Sequence, residues 1–213
     1  MGERVIQVGD PLPAGTEGQV LEADAFDKAI GFTLGAEGGY TVDNGGPTNY
    51  GVTQTTMNAF SAARGEKPMD VKTITPDDAK FIAREMYYKQ PKFDMLPDRV
   101  GVAAFDYGYQ SGPVQAIKDL QRVVGAKVDG LMGPGTKKAV DRYVAENGED
   151  DLLAKYLGRR QVLYSTLIRN QPQVHAKNAK GYANRLAGLT QYLAQMKAGG
   201  AQAQLQSQAQ AVQ

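Results

Sequence analysis

Residues 37–53 of the chain read Glu37-Gly38-Gly39-Tyr40-Thr41-Val42-Asp43-Asn44-Gly45-Gly46-Pro47-Thr48-Asn49-Tyr50-Gly51-Val52-Thr53. The preceding residues have apolar side chains at helical spacing, so we expect a helix that Asp24 caps and that carries Glu37 at its C-terminal end. Gly38-Gly39 ends this helix, because glycine adopts the left-handed conformation that helix stops require. In residues 40–53 tyrosine and valine alternate, and the segment contains Asn-Gly and Gly-Pro turn signals. Both features predict a small β-hairpin.

The rest of the chain is predicted to be helical. The strongest helix starts are Thr75-Pro76, Pro113 and Pro134, since proline favours the first position of a helix. Helical spacing of apolar residues predicts further helices at 54–63, 100–109 and about 180–196, and a long one after Asp150-Asp151. The predicted fold class is therefore mainly α (α+β), with a small β-hairpin beside Glu37.

Three side chains of the 37–53 segment suit the hydrolysis of a glycosidic bond, which requires a proton donor and a second polar group near the sugar cation. Glu37 is the candidate general acid, because a helix C-terminus and apolar neighbours disfavour its ionised form. Asp43 either stabilises the transition state or acts as base, or it caps backbone amides of the turn. Thr48 either positions the attacking water, which implies inversion, or is only a strand residue.

The same segment resembles the catalytic signature of the glycoside hydrolase family 108 muramidases, which are phage-type lysozymes. The family pattern is roughly Glu-Gly-Gly-Tyr, a short gap, Asp, and then Gly-Gly-x-Thr-x-x-Gly-[Ile/Val]-Thr. The matching residues are Glu37, Gly38, Gly39, Tyr40, Asp43, Gly45, Gly46, Thr48, Gly51, Val52 and Thr53. The gap before Asp43 is shorter than in many relatives. The resemblance implies a lysozyme-like helical fold with Glu37, Asp43 and Thr48 as the catalytic set.

A second resemblance lies downstream. Residues 104–113 are similar to the Phe-Asp-x-x-x-Asn-x-Gly-Pro helix that begins the family's peptidoglycan-binding region, with Gln110 in the asparagine position. Residues 120–136 follow its Leu-Gln…Asp-Gly-x-x-Gly-Pro-x-Thr pattern, which is either a binding element or a helix–turn–helix brace. Gly181-Tyr182-Ala183-Asn184-Arg185 resembles the closing Gly-Trp-x-x-Arg segment. Arg185 pairs either with a buried acid or with substrate.

Tyrosine offers sugars a flat apolar face and a hydroxyl group. The candidate substrate-binding residues are therefore four tyrosines and the glutamine of the downstream helix: Tyr40, Tyr50, Tyr107, Tyr109 and Gln110. For each of them, a place in the core is the alternative.

The amino-acid composition argues against several kinds of site and partner. The chain has no cysteine, which suits a reducing cytosol and excludes disulfides, and its one histidine, His175, argues against a zinc site or a serine–histidine mechanism. We expect no metal and no cofactor.

Charge is distributed unevenly along the chain. Residues 1–100 carry 10 basic and 15 acidic side chains, and residues 101–213 carry 14 basic and 8 acidic side chains. The basic half suits a polyanion such as the cell wall, but nucleic acid is not expected, because no basic cluster interleaved with aromatics occurs.

Four regions are predicted: an N-terminal extension (1–23), a catalytic region (24–103), a helical peptidoglycan-binding region (104–194) and a low-complexity tail (195–213) that is disordered or extends a helix.

The function that the resemblance implies is that of an N-acetylmuramidase acting on peptidoglycan glycan strands, as a phage endolysin or virion-associated lysin. The alternatives are a lytic transglycosylase and a non-catalytic wall-binding phage protein. No membrane span or signal peptide is predicted, so synthesis in the host cytoplasm and action at the periplasm or cell wall are expected, by holin-dependent release or from the virion.

Overall fold

The computed structural model describes residues 25–34, 40–43 and 46–210. Several predicted features lie outside the described residues: Glu37, the cap Asp24, the Gly38-Gly39 stop, the Asn44-Gly45 turn and the extension 1–23. The chain divides into two compact units. Unit 1 comprises residues Met1–Asp24 and Glu37–Ile82, and unit 2 comprises Ala25–Ala36 and Ala83–Gln213. The predicted boundary between residues 103 and 104 separates functional regions rather than compact units, and it remains a prediction.

Unit 1 contains a three-stranded antiparallel sheet in the order β1-β2-β3, formed by β1 (Thr41–Asp43), β2 (Gly46–Asn49) and β3 (Val52–Thr53). The predicted hairpin is therefore extended by a third strand. Tyr50 and Gly51 connect β2 to β3 with φ angles of 48° and 78°. Two successive residues with positive φ form the type I′ turn, whose twist matches that of the flanking strands.

Two helices follow the sheet, and unit 1 ends at Ile82 within the second of them. Helix α2 (Gln54–Arg64) begins where the Thr53 hydroxyl accepts a hydrogen bond from the Thr56 amide, and it ends at Gly65. A single 3₁₀ turn (Val71–Thr73) leads to α3 (Pro76–Arg84), whose start at Pro76 is as predicted. Thr75 and Asp78 cap it reciprocally, each bonding the other's backbone amide. A small apolar core, which includes Val52, Met57, Phe60, Val71, Ile74, Ala79 and Ile82, lies beneath.

Unit 2 is helical. Helix α1 (Ala25–Leu34) is followed, after unit 1, by a π-helical turn (Glu85–Lys89) and a 3₁₀ turn (Phe93–Met95). The remaining elements are α4 (Asp98–Ser111), α5 (Pro113–Val124), α6 (Pro134–Asn147), α7 (Glu149–Asn170), α8 (Pro172–His175), a 3₁₀ turn (Ala176–Asn178) and α9 (Ala179–Gln210). The mainly α fold class with a small antiparallel sheet is confirmed.

Helix α4 lies at the centre of unit 2. Its residues from Val100 to Gly108 are all buried, as in a helix that is covered on every side. Two glycines permit the close packing: a Cβ on Gly101 would lie 3.0 Å from the Phe93 carbonyl oxygen, and one on Gly108 would lie 3.1 Å from the Phe93 ring. The packing around α4 therefore leaves no room for larger side chains at these two positions.

The low-complexity tail continues α9 to Gln210, so of the two predicted outcomes the helix extension is the one observed. In the part of the chain that the structure describes, no helix combines the length and the apolar character that crossing a membrane demands.

Candidate active site

The sheet of unit 1 brings two of the three predicted catalytic positions onto one hairpin. Thr41 pairs directly with Thr48, and Asp43 pairs with Gly46. Directly paired positions share a face of an antiparallel sheet, and so do alternate positions along a strand. Positions 41, 43 and 48 therefore belong to one face. Thr48 is half-buried, and among the described residues nothing forms a hydrogen bond with its hydroxyl group.

The position of this hairpin depends on Asn49, which the sequence analysis did not single out. Its buried side-chain amide donates to the carbonyl oxygens of Val71 (3.1 Å), Lys72 (3.3 Å) and Ile74 (3.4 Å). The Gln54 side chain also holds this loop, because it accepts a hydrogen bond from the Val71 amide at 2.8 Å. The strand that carries Thr48 is thus tied to the 3₁₀ turn. The only sequence signal was a polar residue between two motif positions.

Two of the predicted sugar-contacting tyrosines lie on the sheet. Tyr40 immediately precedes β1 and is 43% exposed, with the Lys72 ammonium group 5.5 Å from its ring centre. Tyr50 occupies the first position of the type I′ turn and is half-buried. Both remain predicted substrate contacts.

The other three candidates lie on α4, and one of them needs correction. Tyr107 is 1% exposed, and its hydroxyl donates to Asp119 Oδ2 at 2.6 Å. Its ring has no face open to a sugar, so the structure gives Tyr107 a role in the core rather than in substrate binding. Tyr109 is half-buried and packs edge-on against Tyr87, whereas Gln110 is exposed. Tyr109 and Gln110 remain predictions.

The centre of unit 2 contains a buried ion cluster. Asp106, which is fully buried on α4, accepts hydrogen bonds from Arg160 Nη1 on α7 (2.6 Å) and from Arg185 Nη2 on α9 (2.5 Å). Thr33 on α1 donates its hydroxyl to the same carboxylate at 3.0 Å. Burial alone would raise the pKa of Asp106, but the charges and hydrogen bonds of the two arginines outweigh it and lower that pKa. Of the two alternatives for Arg185, pairing with a buried acid is the one observed.

Aromatic rings extend this cluster towards the surface. The Arg160 guanidinium lies between the rings of Tyr107 (5.1 Å) and Tyr164 (5.4 Å), and Arg160 Nε donates to the Tyr164 hydroxyl. Tyr164 stacks on Tyr182, with ring centres 4.2 Å apart, and the Tyr182 hydroxyl lies 2.9 Å from Nδ1 of His175. Facing π surfaces stabilise a buried cation. These contacts explain why Arg160 tolerates complete burial.

The downstream Leu-Gln…Asp-Gly pattern has a structural explanation. The Gln121 side chain is fully buried, and its oxygen accepts hydrogen bonds from the amides of Asp129 (3.1 Å) and Gly130 (2.9 Å). Its nitrogen donates to Asp129 Oδ1, to the Leu131 carbonyl oxygen and to the Thr136 hydroxyl. One glutamine thus joins α5, the following loop and the start of α6, which supports the brace.

Replacing Gln121 with leucine is expected to lower the free energy of unfolding by about 1–3 kcal/mol, because the amides of Asp129 and Gly130 lose their acceptor and the Gly130 amide is buried. Urea unfolding measures this loss. Gln161→Leu, at an exposed position of α7, is the control and is expected to change stability by less than about 0.5 kcal/mol. Equal stability of the two variants would show that the loop is held by other contacts.

The described residues contain no group of three or more acidic, histidine or cysteine side chains that could hold a metal ion.

Comparisons with known proteins identify both parts of the chain. The profile of the glycosyl hydrolase 108 family matches residues 30–112, and that of a predicted peptidoglycan domain matches residues 115–187. Among solved structures, SagA of Brucella abortus is similar, with 32% sequence identity and a TM-score of 0.61 over 79% of this chain and 94% of that chain. No curated protein matches the chain significantly.

Three findings agree with one another: the order of the two matched regions, the mainly α fold with its small sheet, and the likeness to SagA along most of the chain. The chain belongs to the glycosyl hydrolase 108 family, and it is a glycoside hydrolase that acts on peptidoglycan.

Proposed function

We propose that the chain is an N-acetylmuramidase, which hydrolyses the β-1,4 bond between N-acetylmuramic acid and N-acetylglucosamine. Glu37 is the general acid in this proposal. The observation that carries it is the register of β1 and β2, which assigns positions 43 and 48 to one face of the hairpin that follows Glu37 in the sequence. A proton donor followed closely by a polar face matches the needs of an oxocarbenium-like transition state.

Asp43 and Thr48 have separate roles in this proposal. The Asp43 carboxylate stabilises the positive charge that develops on the sugar ring or removes a proton from water. The Thr48 hydroxyl positions that water. This role is supported by the observation that the hydroxyl has no hydrogen-bond partner among the described residues. Attack by a positioned water from the face opposite the leaving group inverts the anomeric configuration.

The tyrosines of the sheet complete the proposed site. Tyr40 presents an exposed ring beside Lys72, and Tyr50 lies at the tip of the second hairpin. Aromatic rings bind the apolar faces of sugars, and a nearby ammonium group attracts the free carboxylates of the peptide stems of peptidoglycan. We assign both tyrosines to glycan binding.

Analysis of the product ends tests the bond that is cut. Peptidoglycan digested by the protein is reduced with borohydride, and its fragments are identified by mass spectrometry. Reduced N-acetylmuramic acid ends are expected. Reduced N-acetylglucosamine ends would show that the neighbouring bond is cut, and 1,6-anhydro ends would identify a lytic transglycosylase, so either result contradicts the proposal.

We further propose a biological role as a phage lysin that is made in the host cytoplasm and degrades the host wall, either after holin-dependent release or from the virion. The resemblance of residues 37–53 to phage-type lysozymes supports this role. Expression in a Gram-negative host with and without a co-expressed holin tests the first route. Lysis that occurs only with the holin is expected for an endolysin, and equally rapid lysis without it would contradict that route.

A further inference from the structure

The C-terminal part of the chain has an uneven charge. Residues 152–213 contain eight lysine and arginine side chains and no aspartate or glutamate. Five of these cations bond carboxylates that precede residue 152: Lys155, Arg159, Arg160, Arg185 and Lys197. The other three, Arg169, Lys177 and Lys180, are exposed, and none of them has an ion-pair partner in the part of the chain that the structure describes. We call these three residues the cationic tip, because they lie at the turn between α7 and α9.

The turn that carries the cationic tip is bonded within itself and to both helices. The carbonyl oxygen of Gln171 accepts hydrogen bonds from the amides of Val174 and His175, each at 3.0 Å. His175 Nδ1 lies 2.9 Å from the Tyr182 hydroxyl of α9, and the Tyr182 ring stacks on Tyr164 of α7 with ring centres 4.2 Å apart. The cationic tip therefore belongs to a folded turn.

An apolar groove begins beside this turn and runs between α7 and α9. Its volume is about 800 Å³, and residues of these two helices line it, with Arg99 of α4 at the end away from the turn. Its larger apolar side chains include four leucines: Leu153, Leu157, Leu186 and Leu193. Along α7 the lining extends from Leu153 to Ile168, which is about 22 Å at the rise of an α-helix. We call this feature the α7–α9 groove.

The two ends of the groove differ in charge. At the end away from the tip, Asp150 is the only carboxylate among the described residues that line the groove, and it bonds both Arg99 and Lys197. Arg99 also bonds Glu149 at 3.0 Å, so positive and negative charges balance there. At the other end, the cationic tip has no carboxylate to balance it. An anionic ligand in the groove is therefore expected to place its charge at the tip.

Helical spacing aligns two members of the tip with the walls of the groove. Arg169 lies one turn beyond Ser165 on α7, and Lys180 lies one turn before Ala183 on α9. Ser165 and Ala183 both line the groove, and residues one turn apart are neighbours on the surface of a helix. The cationic tip therefore continues both walls of the groove.

Gly158 keeps the middle of the groove open. It lies within α7 and lines the groove, and a Cβ added to it would contact no other part of the fold within 4 Å. Packing inside the protein therefore does not require a glycine at this position, although glycine is less favourable than alanine within a helix. A larger side chain here would take up space in the groove, which suits a groove that holds a ligand.

We propose that the α7–α9 groove binds the stem peptide of peptidoglycan, with the free carboxylates of the peptide at the cationic tip. The proposal rests on the proposed function, because stem peptides are attached to the glycan strands that the enzyme cuts. The cationic tip and most of the groove lie in the region matched by the predicted peptidoglycan domain. The groove thus gives that region a specific ligand within the wall polymer.

The chemistry of the stem peptide matches both parts of the site. Stem peptides combine the methyl side chains of alanine, which suit an apolar groove, with free carboxylates, which bond lysine and arginine. The sugars of the glycan strand carry hydroxyl and acetamido groups instead, so they do not complement three unpaired cations. A tetrapeptide spans about 14 Å, and the groove is long enough to hold it.

Isothermal titration calorimetry of the full chain with a soluble tetrapeptide measures this binding apart from hydrolysis, because the peptide contains no glycosidic bond. The probe is N-acetyl-L-Ala-γ-D-Glu-meso-diaminopimelate-D-Ala, whose carboxylates outnumber its single amine. Saturable binding that weakens with added salt is expected. The same peptide with amidated carboxylates is expected to bind at least about 10-fold more weakly, because its charge-assisted bonds are lost.

The combined variant Arg169→Gln, Lys177→Gln and Lys180→Gln tests the cationic tip. It is expected to bind the tetrapeptide about 10-fold to 100-fold more weakly, since each exposed ion pair contributes up to about fivefold in affinity. The control removes the same charge at three other exposed positions, and its affinity is expected to stay within about twofold of the wild type: Lys67→Gln, Lys127→Gln and Lys138→Gln.

Gly158→Leu tests the groove without removing any charge. The variant is expected to be at least as stable as the wild type, because leucine favours a helix more than glycine does, and to bind the tetrapeptide at least about 10-fold more weakly. Gly199→Leu is the matched control. Gly199 also lies within α9 with open space at its Cβ position, but it does not line the α7–α9 groove, so wild-type affinity is expected.

Three results would overturn the proposal: no binding of the tetrapeptide by the wild type, equal affinity in the cationic-tip variant and its lysine control, or wild-type affinity in Gly158→Leu. Binding of anionic phospholipid vesicles without binding of the peptide would assign the tip to a membrane instead. A dimer that Gly158→Leu abolishes, again without peptide binding, would assign the groove to a second copy of the chain.

Failure of this inference is distinguishable from failure of the proposed function. A wild type that releases fragments with reducing N-acetylmuramic acid ends but does not bind the tetrapeptide would refute the inference alone. A wild type that binds the tetrapeptide but releases no such fragments would refute the proposed function and leave the peptide site standing.

Discussion

Replacing Glu37 with glutamine is expected to lower the rate of peptidoglycan hydrolysis by about 10²–10⁴-fold, with the protein still folded. Proton donation by a positioned acid contributes a factor of this size, and the amide cannot supply the proton. Glutamine has nearly the same shape as glutamic acid, so binding of the glycan strand is expected to persist. Release of soluble fragments from dye-labelled peptidoglycan measures the rate, and co-sedimentation with insoluble peptidoglycan measures binding.

Glu66→Gln is the control for this experiment. Glu66 lies in the same compact unit as Glu37, and its exposed carboxylate accepts a hydrogen bond from Arg64 Nε at 2.9 Å. Removing this surface charge is expected to leave the rate within about twofold of the wild type, because exposed ion pairs contribute little. Wild-type rates in both variants would show that Glu37 does not donate the proton.

The largest effect on stability is expected for Asp106→Asn. The asparagine leaves the fully buried Arg160 and the largely buried Arg185 without their common carboxylate. Removing one partner of a buried ion pair costs about 3–5 kcal/mol, because the remaining charge stays desolvated. Chemical denaturation measures the change in the free energy of unfolding.

The matched control is Asp141→Asn, which breaks a surface pair between Asp141 and Lys137 one helical turn apart on α6. A loss of less than about 1 kcal/mol is expected there. If Asp106→Asn were no less stable than this control, the buried cluster would not stabilise unit 2 as described.

The same aspartate predicts a dependence of stability on pH. The two arginines lower the pKa of Asp106 in the folded protein despite its burial. A carboxylate with a lowered pKa contributes stability above its unfolded value of about 3.9, and this stability is lost as the pH falls towards the folded value. The wild type is therefore expected to lose more stability below about pH 4 than Asp106→Asn does. Parallel pH profiles for the two proteins would contradict the assigned pKa direction.

The elements that could be predicted from sequence are those that local signals determine. Pro76, Pro113 and Pro134 are the first residues of α3, α5 and α6, because proline at a helix start costs no backbone hydrogen bond. The turn between β2 and β3 was missed as a separate hairpin, since Tyr50 is an unusual residue for positive φ.

The contacts that could not be predicted join residues far apart in the chain. Asp106 is separated from Arg160 by 54 positions and from Arg185 by 79, so no local pattern relates them. The available signal was an aspartate within the apolar run of α4. For Tyr107 the sequence left two alternatives, sugar contact and core, and the structure shows the core, because α4 is buried from Val100 to Gly108.

The region 37–53 occupies an intermediate place. The pairing of Thr41 with Thr48 agrees with the hairpin that the turn residues predict. Asn49, however, is bound to three carbonyl oxygens that lie 22 to 25 positions further along the chain. Local sequence thus predicts the hairpin itself, whereas its attachment to the 3₁₀ turn required the structure.

The most direct test of the account is mass spectrometry of the fragments that the wild type and Glu37→Gln release from the same purified Gram-negative peptidoglycan. Fragments with reducing N-acetylmuramic acid ends are expected from the wild type, and almost none are expected from the variant. Equal release by both proteins, or no release by the wild type, would contradict it.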